Sequence, residues 1–287
     1  MPVPAYVSRN GVLIPPTEAS VSVFNPALYG AYGVYESLQV TRAVVFAIDA
    51  HLQRLIRSAQ IIGLPLPAGP AVFKRWIGEA LAGNSAVSCT LRIFVLDADN
   101  GGETVAYIWL QPGPDYGSAA YERGASAITF EGRRFLPQAK SLNNLASTMA
   151  RRQAQTEGVH EGLLHHDGFL TEGANSNLFA VVDGLVLTAP AADVLSGVTR
   201  DILVQLAARN QVGLHETPLA MAGMSRWQEC FITSTSRHVM PVTAIDGRPV
   251  GDGRVGPVTR RLVDILEKHF EQHVAGGSDE SPASLSA

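Results

Sequence analysis

The sequence has few of the residues that mark several large protein classes. It contains two cysteines in 287 residues, Cys89 and Cys230, far apart and outside any CxxC pair. A disulfide framework and a cysteine zinc site are therefore not expected, and a reduced, cytoplasmic setting fits best. No run of eighteen apolar residues occurs, and the first ten residues lack a basic segment followed by an apolar one. We expect neither a membrane span nor an export signal.

Basic residues are scarce as well, and lysine is the rarest of them. The formal net charge is −4 and no block of Lys or Arg accumulates, so the surface that nucleic-acid binding requires is lacking. Only three of the 22 basic residues are lysines, Lys74, Lys140 and Lys268. Any chemistry of a lysine amine must use one of them. The sequence HHD at 165–167 lacks the helical spacing of a zinc motif, and no metal is expected.

What is present fits a two-lobed globular protein. Apolar residues make up 46% of the chain and charged residues 17%, which is ordinary for a soluble enzyme. The segment QPGPDYG at 111–117 is dense in Pro and Gly and separates two patterned halves. We predict an α+β N-terminal lobe over 1–112, a linker over 113–118, a β-rich C-terminal lobe over 119–274 and a disordered tail over 275–287.

The first lobe opens with sheet and continues with helices. Asn10-Gly11 is a strong hairpin signal. Apolar positions 52, 55, 56, 59 and 62 recur at helical spacing between Asp49, a candidate N-cap, and Gly63, and Arg54 falls off that stripe. The remaining predicted elements are strands at 34–40, 44–48, 90–96 and 104–110 and a helix at 71–82.

The second lobe is predicted to be mainly strands. Asp167-Gly168 and Asp183-Gly184 signal hairpins. Lys140 precedes a predicted helix over 142–156, whose apolar face would comprise Leu142, Leu145, Ala146, Met149 and Ala150. The other predicted elements are strands at 125–129, 230–233 and 239–245 and helices at 196–210 and 258–269.

Five stretches together resemble the class IV aminotransferases: HLQRLIRSAQIIGL (51–64), KSLNNLASTMARRQA (140–154), GLLHHDGFLTEGANSNLFAV (162–181), SGVTRDIL (196–203) and FITSTSRHVMPV (231–242). This family of fold-type IV pyridoxal phosphate enzymes includes branched-chain and D-amino acid aminotransferases and aminodeoxychorismate lyase. The resemblance implies an α+β fold with a smaller N-terminal α/β sandwich and a larger C-terminal β-rich pseudo-barrel carrying helices. It also implies pyridoxal 5′-phosphate as cofactor and a homodimer.

The resemblance assigns two central roles. Lys140, in KSLNN, matches the lysine that holds the cofactor as an imine and later moves a proton at the substrate carbon. Glu172, in TEGANSN, matches the glutamate that keeps the pyridine nitrogen protonated, so that the ring can accept electrons. Asn177 fits the same motif, either to position its neighbours or as a turn residue.

The phosphate of the cofactor would be held by a helix start and an arginine. Ser196, Gly197, Val198 and Thr199 resemble the family's phosphate turn, and Thr235 its second phosphate loop. Arg54 matches the arginine that completes the phosphate cup, although without the resemblance it would be a solvated helix residue. Leu195 corresponds to the apolar residue against one ring face, with a core leucine as the alternative.

The substrate side is less regular. Tyr35, Arg92 and Ser236 are expected there, and Arg92 matches an arginine of branched-chain members. Thr90 replaces their tyrosine, however, Tyr32 replaces the usual acidic residue, and Leu145 replaces their cofactor-side tyrosine. The segment LDADNGGET at 96–104 lacks the arginine and histidine of D-amino acid members.

The resemblance thus predicts amino transfer between a branched-chain-like amino acid and a 2-oxo acid. Three alternatives stay open: a D-amino acid or (R)-amine transaminase, aminodeoxychorismate lyase, and a pyridoxal phosphate-binding protein without turnover. The intact Lys140 and Glu172 speak against the last of these.

Overall fold

The structure is a computed structural model that describes residues 4–97 and 104–276. Its internal contacts divide the chain into two compact units. Unit 1 comprises residues 1–114, 139–143 and 270–287, and unit 2 comprises residues 115–138 and 144–269. Most of the predicted segment 96–104 and all but two residues of the predicted tail lie outside the described residues.

Unit 1 contains a six-stranded antiparallel sheet in the order β2-β1-β6-β5-β3-β4. The predicted hairpin at Asn10-Gly11 is confirmed, since both residues have positive φ between β1 and β2. The strands are β1 (Val7–Arg9), β2 (Val12–Ile14), β3 (Gly33–Thr41), β4 (Val44–Val45), β5 (Cys89–Leu96) and β6 (Val105–Gln111).

One face of this sheet is apolar and is covered by helices α2 (Ile48–Ile62) and α3 (Pro70–Gly83), which follow the short α1 (Pro26–Gly30). One sequence prediction for α2 is wrong, and the alternative of a solvated Arg54 is excluded. The N-cap is Ala47, and Asp49 lies in the first turn. Arg54 is buried, because its side chain finds a carboxylate inside the unit.

The chain returns to unit 1 at residues 139–143, which the sequence prediction had assigned to the second lobe. Ser141 forms a β-bridge with Val34, and Leu142 donates from its amide to the carbonyl of Gly33 (2.9 Å). Leu142 is therefore held in an extended segment and does not begin the next helix. That helix, α5, spans Leu145–Thr156, three residues later than predicted.

Unit 2 contains a ten-stranded mixed sheet. An additional pairing between the strands on either side of residues 174–176 closes six of its strands into a ring, as expected of a pseudo-barrel. The strands are β7 (Ala125–Glu131), β8 (Glu161–His166), β9 (Phe169–Gly173), β10 (Asn177–Val182), β11 (Leu185–Thr188), β12 (Leu214–Glu216), β13 (Leu219–Ala220), β14 (Glu229–Ser234), β15 (His238–Ile245) and β16 (Arg248–Pro249).

The central strands of unit 2 are buried on both faces. Along β10, Leu178 and Ala180 enter one core, whereas Phe179 and Val181 enter another. The sequences of such strands are continuous apolar runs and do not alternate between apolar and polar residues. The predicted hairpins at Asp167-Gly168 and Asp183-Gly184 are confirmed, because all four residues have positive φ, as type I′ turns require.

Four helices flank this sheet: α4 (Ser118–Glu122), α5, α6 (Val198–Arg209) and α7 (Pro257–Gly276). The predicted apolar face of α5 is wrong. Its buried residues are Ser147, Ala150 and Ala154, while Leu145 and Met149 are 68% and 51% exposed. Small side chains face β8 because Gly162 approaches the backbone of Ala150 closely. The helix α7 extends seven residues beyond its predicted end.

Candidate active site

Lys140 is held in unit 1 by its backbone. Its amide donates to the hydroxyl of Ser58 on α2 (3.0 Å), and its carbonyl accepts from the amide of Tyr35 on β3 (2.9 Å). The amine Nζ lies 4.6 Å from the centroid of the Tyr35 ring. The lysine therefore projects from a fixed strand-like segment with an aromatic face against its charged end.

The face of the sheet that carries Tyr35 is polar and aromatic. Tyr35 packs edge-to-face on Phe94, and Phe94 packs in the same way on Trp109. Arg92 lies on β5 opposite Ser37 and Trp109, so it belongs to the same face. Two of the predicted substrate-side residues, Tyr35 and Arg92, thus share one face with Lys140 beside them.

Arg54 lies on the opposite, helix-covered face in a buried polar cluster. Its Nε and Nη2 donate to the two carboxylate oxygens of Glu36 (2.6 and 2.8 Å), and Nδ1 of His51 lies 2.8 Å from Oε2 of Glu36. Burial raises the pKa of the Glu36 carboxyl, but the neighbouring Arg54 and His51 lower it more, so the net pKa lies well below the ordinary value of 4.5. Burial lowers the pKa of His51 from 6.5.

The sequence prediction missed Glu36 and His51, although a signal for both exists. In β3 the buried positions alternate as Val34, Glu36 and Leu38, so a carboxylate occupies a core position. On α2, His51 and Arg54 are spaced to share the buried face. A charged residue at a core position of one element predicts an opposite charge at a core position of the element that packs on it.

Glu172 lies in unit 2 at the end of β9, almost fully buried. One carboxylate oxygen accepts from the amide of Leu195 (3.1 Å), and the other lies 4.0 Å from Nε of Arg134. Asn177, opposite Glu172 in the ladder, donates from Nδ2 to the carbonyl of Leu195 (2.9 Å). Arg134 was missed by the sequence prediction. Its buried guanidinium places a positive charge near the carboxylate of Glu172.

The predicted phosphate turn forms the start of α6. Gly197 is the N-cap, and the helix begins at Val198 and Thr199. A Cβ at Gly197 would overlap the side-chain oxygen of Asn177. Because Gly197 offers no side chain, no side-chain cap occupies the first amides of this helix, which are donors suited to an anion.

Thr235 and Ser236 occupy the turn between β14 and β15. The hydroxyl of Ser236 lies 2.9 Å from that of Tyr116. Next to it, Arg237 stacks over the Tyr116 ring (4.8 Å) and donates to the buried carboxylate of Glu161 (2.7 Å). Arg237 and Glu161 form an ion pair that the sequence prediction did not include.

The structure thus distributes the predicted residues over the two units. Unit 1 carries Tyr35, Arg54, Arg92 and Lys140. Unit 2 brings Glu172, Asn177, Leu195 and the α6 start together, with Thr235 and Ser236 on one turn. The described residues contain no group of three or more His, Cys, Asp or Glu side chains able to hold a metal ion. No helix in 4–97 or 104–276 is long and apolar enough to cross a membrane.

The two units, with their sheets and flanking helices, have the fold of the fold-type IV enzymes. A branched-chain amino acid aminotransferase of Escherichia coli superposes with a TM-score of 0.85 at 29% identity, covering 97% of this chain and 96% of that one. A T.th. branched-chain amino acid aminotransferase, solved with pyridoxamine 5′-phosphate, superposes with a TM-score of 0.87 at 26% identity, covering 94% and 97%. The expected α+β fold is confirmed.

The sequence comparisons agree with the structural ones. Residues 33–245 match the family model for amino-transferase class IV. A putative branched-chain-amino-acid aminotransferase of Methanocaldococcus jannaschii is 32% identical over 268 residues, 88% of this chain and 92% of that protein. A D-alanine aminotransferase of Staphylococcus aureus is 30% identical over 277 residues, 92% and 97%. The chain belongs to the class IV aminotransferase family.

Proposed function

We propose that the chain holds pyridoxal 5′-phosphate on Lys140 and transfers an amino group from a branched-chain-like amino acid to a 2-oxo acid. The environment of Lys140 is the observation that carries this proposal. Its backbone is fixed on both sides and its amine lies over an aromatic ring. Lys74, by contrast, pairs with the exposed carboxylate of Asp49.

The groups of unit 2 fit the other parts of such a cofactor. Glu172 is a buried carboxylate suited to a protonated pyridine nitrogen, and the Leu195 amide and Arg134 hold its two oxygens in place. The α6 start, with its glycine cap, suits a phosphate. When bound, pyridoxal phosphate supplies an electron sink for cleavage of a substrate bond.

The side chains of unit 1 supply the remaining work. Lys140 alternates between attachment and a free amine that moves a proton at the substrate α-carbon. Tyr35 orients that amine through its ring face. Arg92, on the same face, is suited to the substrate carboxylate because a guanidinium binds carboxylates bidentately.

The D-alanine aminotransferases that match this chain give a second candidate, a D-amino acid donor. Their identity of 30% over 92% of the chain is close to the 32% of the branched-chain relative. The two candidates are distinguished by measuring turnover of the purified protein with L-leucine, L-valine, D-alanine or (R)-1-phenylethylamine as donor and 2-oxoglutarate as acceptor. We expect turnover with the L-donors. Turnover confined to D-alanine would replace the first candidate by the second, and turnover confined to the (R)-amine would exclude both.

Attachment is tested by borohydride reduction after incubation with pyridoxal 5′-phosphate, followed by peptide mass spectrometry. The adduct is expected on Lys140, with Lys74 and Lys268 as internal controls. Lys140→Ala should lose both the adduct and turnover, whereas Lys74→Ala should keep both. An adduct on another lysine, or turnover by Lys140→Ala, would overturn the assignment.

A single-turnover experiment separates transamination from the other activities. A transaminase given donor alone loses the visible absorption of the lysine-bound cofactor and accumulates pyridoxamine phosphate. A lyase acting on aminodeoxychorismate releases pyruvate and regains that absorption, and a protein that only binds the cofactor does neither. We expect the first outcome, and either of the others would refute amino transfer.

We also propose a homodimer. The family resemblance supports this proposal, and Leu145 and Met149, one turn apart on α5, are exposed apolar side chains that a subunit contact would cover. Light scattering should give twice the chain mass of 30.6 kDa. A monomeric mass at micromolar concentration would contradict this.

A further inference from the structure

The buried cluster of Glu36, His51 and Arg54 contains two residues that the roles above leave unexplained. Glu36 and His51 are completely buried, and Arg54 is 5% exposed. Burying a carboxylate, an imidazole and a guanidinium costs desolvation free energy, and apolar residues of similar volume often stabilise a core as well or better. Stability alone therefore does not explain why the helix-covered face of the sheet carries this cluster.

His51 acts in the cluster as a neutral, directional donor. Its Nδ1 lies 2.8 Å from the Glu36 carboxylate, an acceptor, so Nδ1 carries the proton. Burial lowers the pKa of the ring, which keeps it neutral. Its other nitrogen, Nε2, is buried without a hydrogen-bond partner among the described residues. The contribution of His51 is therefore the hydrogen bond from Nδ1.

That hydrogen bond fixes the carboxylate that orients Arg54. Oε1 of Glu36 accepts from Nε of Arg54, and Oε2 accepts from both Nη2 of Arg54 and His51. Hydrogen bonds from two directions restrain the rotation of this carboxylate about its terminal bond. The guanidinium is planar and binds side-on, so fixing the carboxylate also fixes the plane of the guanidinium.

The same helix ties this orientation to Lys140. The hydroxyl of Ser58 donates to the carbonyl of Arg54 (2.8 Å) and accepts from the amide of Lys140 (3.0 Å). One turn of α2 thus connects the backbone of the arginine to the backbone of the lysine. Loss of the His51 hydrogen bond would therefore alter the orientation of the Arg54 side chain. The backbone of Lys140 would stay in place because Ser58 still holds it.

We propose that His51 and Glu36 are positioning residues that orient Arg54 toward a phosphate monoester, and that the cluster selects a phosphorylated cofactor over its dephosphorylated form. This inference rests on the proposed function and on the resemblance that matches Arg54 to the arginine completing the phosphate cup. A guanidinium recognises phosphate bidentately only when its plane is correctly set. His51 supplies that setting without touching the ligand.

The test compares affinities for pyridoxal 5′-phosphate and pyridoxal, measured by equilibrium binding to the apoprotein. His51→Leu removes the donor, His51→Gln extends the amide toward the position of Nε2, and His51→Asn places an amide nitrogen near the position of Nδ1. We expect about a tenfold weaker Kd for the phosphorylated ligand in the Leu and Gln variants, from the lost orientation of a charge-assisted contact. Affinity for pyridoxal should stay within about twofold, and Asn should restore the wild-type ratio.

The outcomes separate this inference from the proposed function. Equal weakening for both ligands would mean a general defect of the fold and would overturn the positioning role, as would an unchanged ratio in the Gln variant. If His51→Leu fails to fold, the comparison of His51→Gln with His51→Asn still tests the positioning role. The proposed function fails separately, by the absence of a Lys140 adduct in the wild-type protein.

Discussion

The amine of Lys140 lies 4.6 Å from the centre of the Tyr35 ring, on the face of the unit 1 sheet opposite the Glu36 cluster. A cation over an aromatic face gains about 0.5–2 kcal/mol, depending on its desolvation. The ring face therefore helps to hold the lysine amine in place.

This contact predicts an NMR signature in the apoprotein. Reductive methylation with ¹³C-formaldehyde labels the three lysines and the amino terminus, so the spectrum is simple. The dimethyl signal of Lys140 should lie upfield of those of Lys74 and Lys268 because of the ring current of Tyr35. Tyr35→Phe should keep the displacement and Tyr35→Leu should abolish it. An unchanged chemical shift of the Lys140 signal in Tyr35→Leu would show that the ring does not hold the amine.

A methyl group at Gly197 should disturb the α6 start. Its Cβ would overlap the side-chain oxygen of Asn177, and Asn177 holds the carbonyl of Leu195. We expect Gly197→Ala to lower the free energy of unfolding by about 1–3 kcal/mol, as other overpacked sites do, and to weaken binding of pyridoxal phosphate. Gly223→Ala is the matched control, because a Cβ there meets open space. Urea unfolding and equilibrium binding measure both effects, and equal behaviour of the two variants would contradict the prediction.

The ion pair between Glu161 and Arg237 should matter most when only one partner is removed. Both side chains are buried, and Glu161 also accepts from the hydroxyl of Ser176 (2.9 Å). Arg237→Gln leaves a buried carboxylate without its counter-charge and should cost about 3–5 kcal/mol in urea unfolding. The double variant Glu161→Gln with Arg237→Gln should recover much of that loss. Additive losses would argue that the pair is not coupled.

The sequence predicted best where local chemistry decides the structure. Asn10-Gly11, Asp167-Gly168 and Asp183-Gly184 set turns through positive φ, and the structure has all three hairpins. The return of Ser141 to Val34 could not be predicted in this way, because a bridge between residues far apart in the chain leaves no periodic pattern.

The prediction of an apolar face for α5 was wrong for a related reason. Leu145 and Met149 recur at helical spacing, yet the close approach of Gly162 admits only small side chains such as Ala150 on the buried side. In the candidate site, the residues that match the family's cofactor contacts were named, whereas Glu36 and Arg134, which contact those residues from neighbouring elements, were not. Their roles follow from contacts across elements, with Arg54 and Glu172.

The Glu36 cluster predicts that stability falls in two stages as the pH is lowered. Burial lowers the pKa of His51, so the unfolded chain binds more protons and stability declines as pH falls below about 6.5. Burial raises the pKa of Glu36, but Arg54 and His51 outweigh it and hold that pKa far below 4.5. The contribution of Glu36 is therefore present above about pH 4.5 and is lost as pH falls further.

Urea unfolding at about pH 7.5, 5.5 and 3.5 brackets both stages of this loss of stability. His51→Asn should flatten the profile over the upper interval, and Glu36→Gln over the lower one. His160→Asn serves as the control, because His160 is an exposed histidine that accepts a hydrogen bond from the amide of Ser126. A His51→Asn profile as steep as that of the wild type would show that His51 is charged in the folded protein.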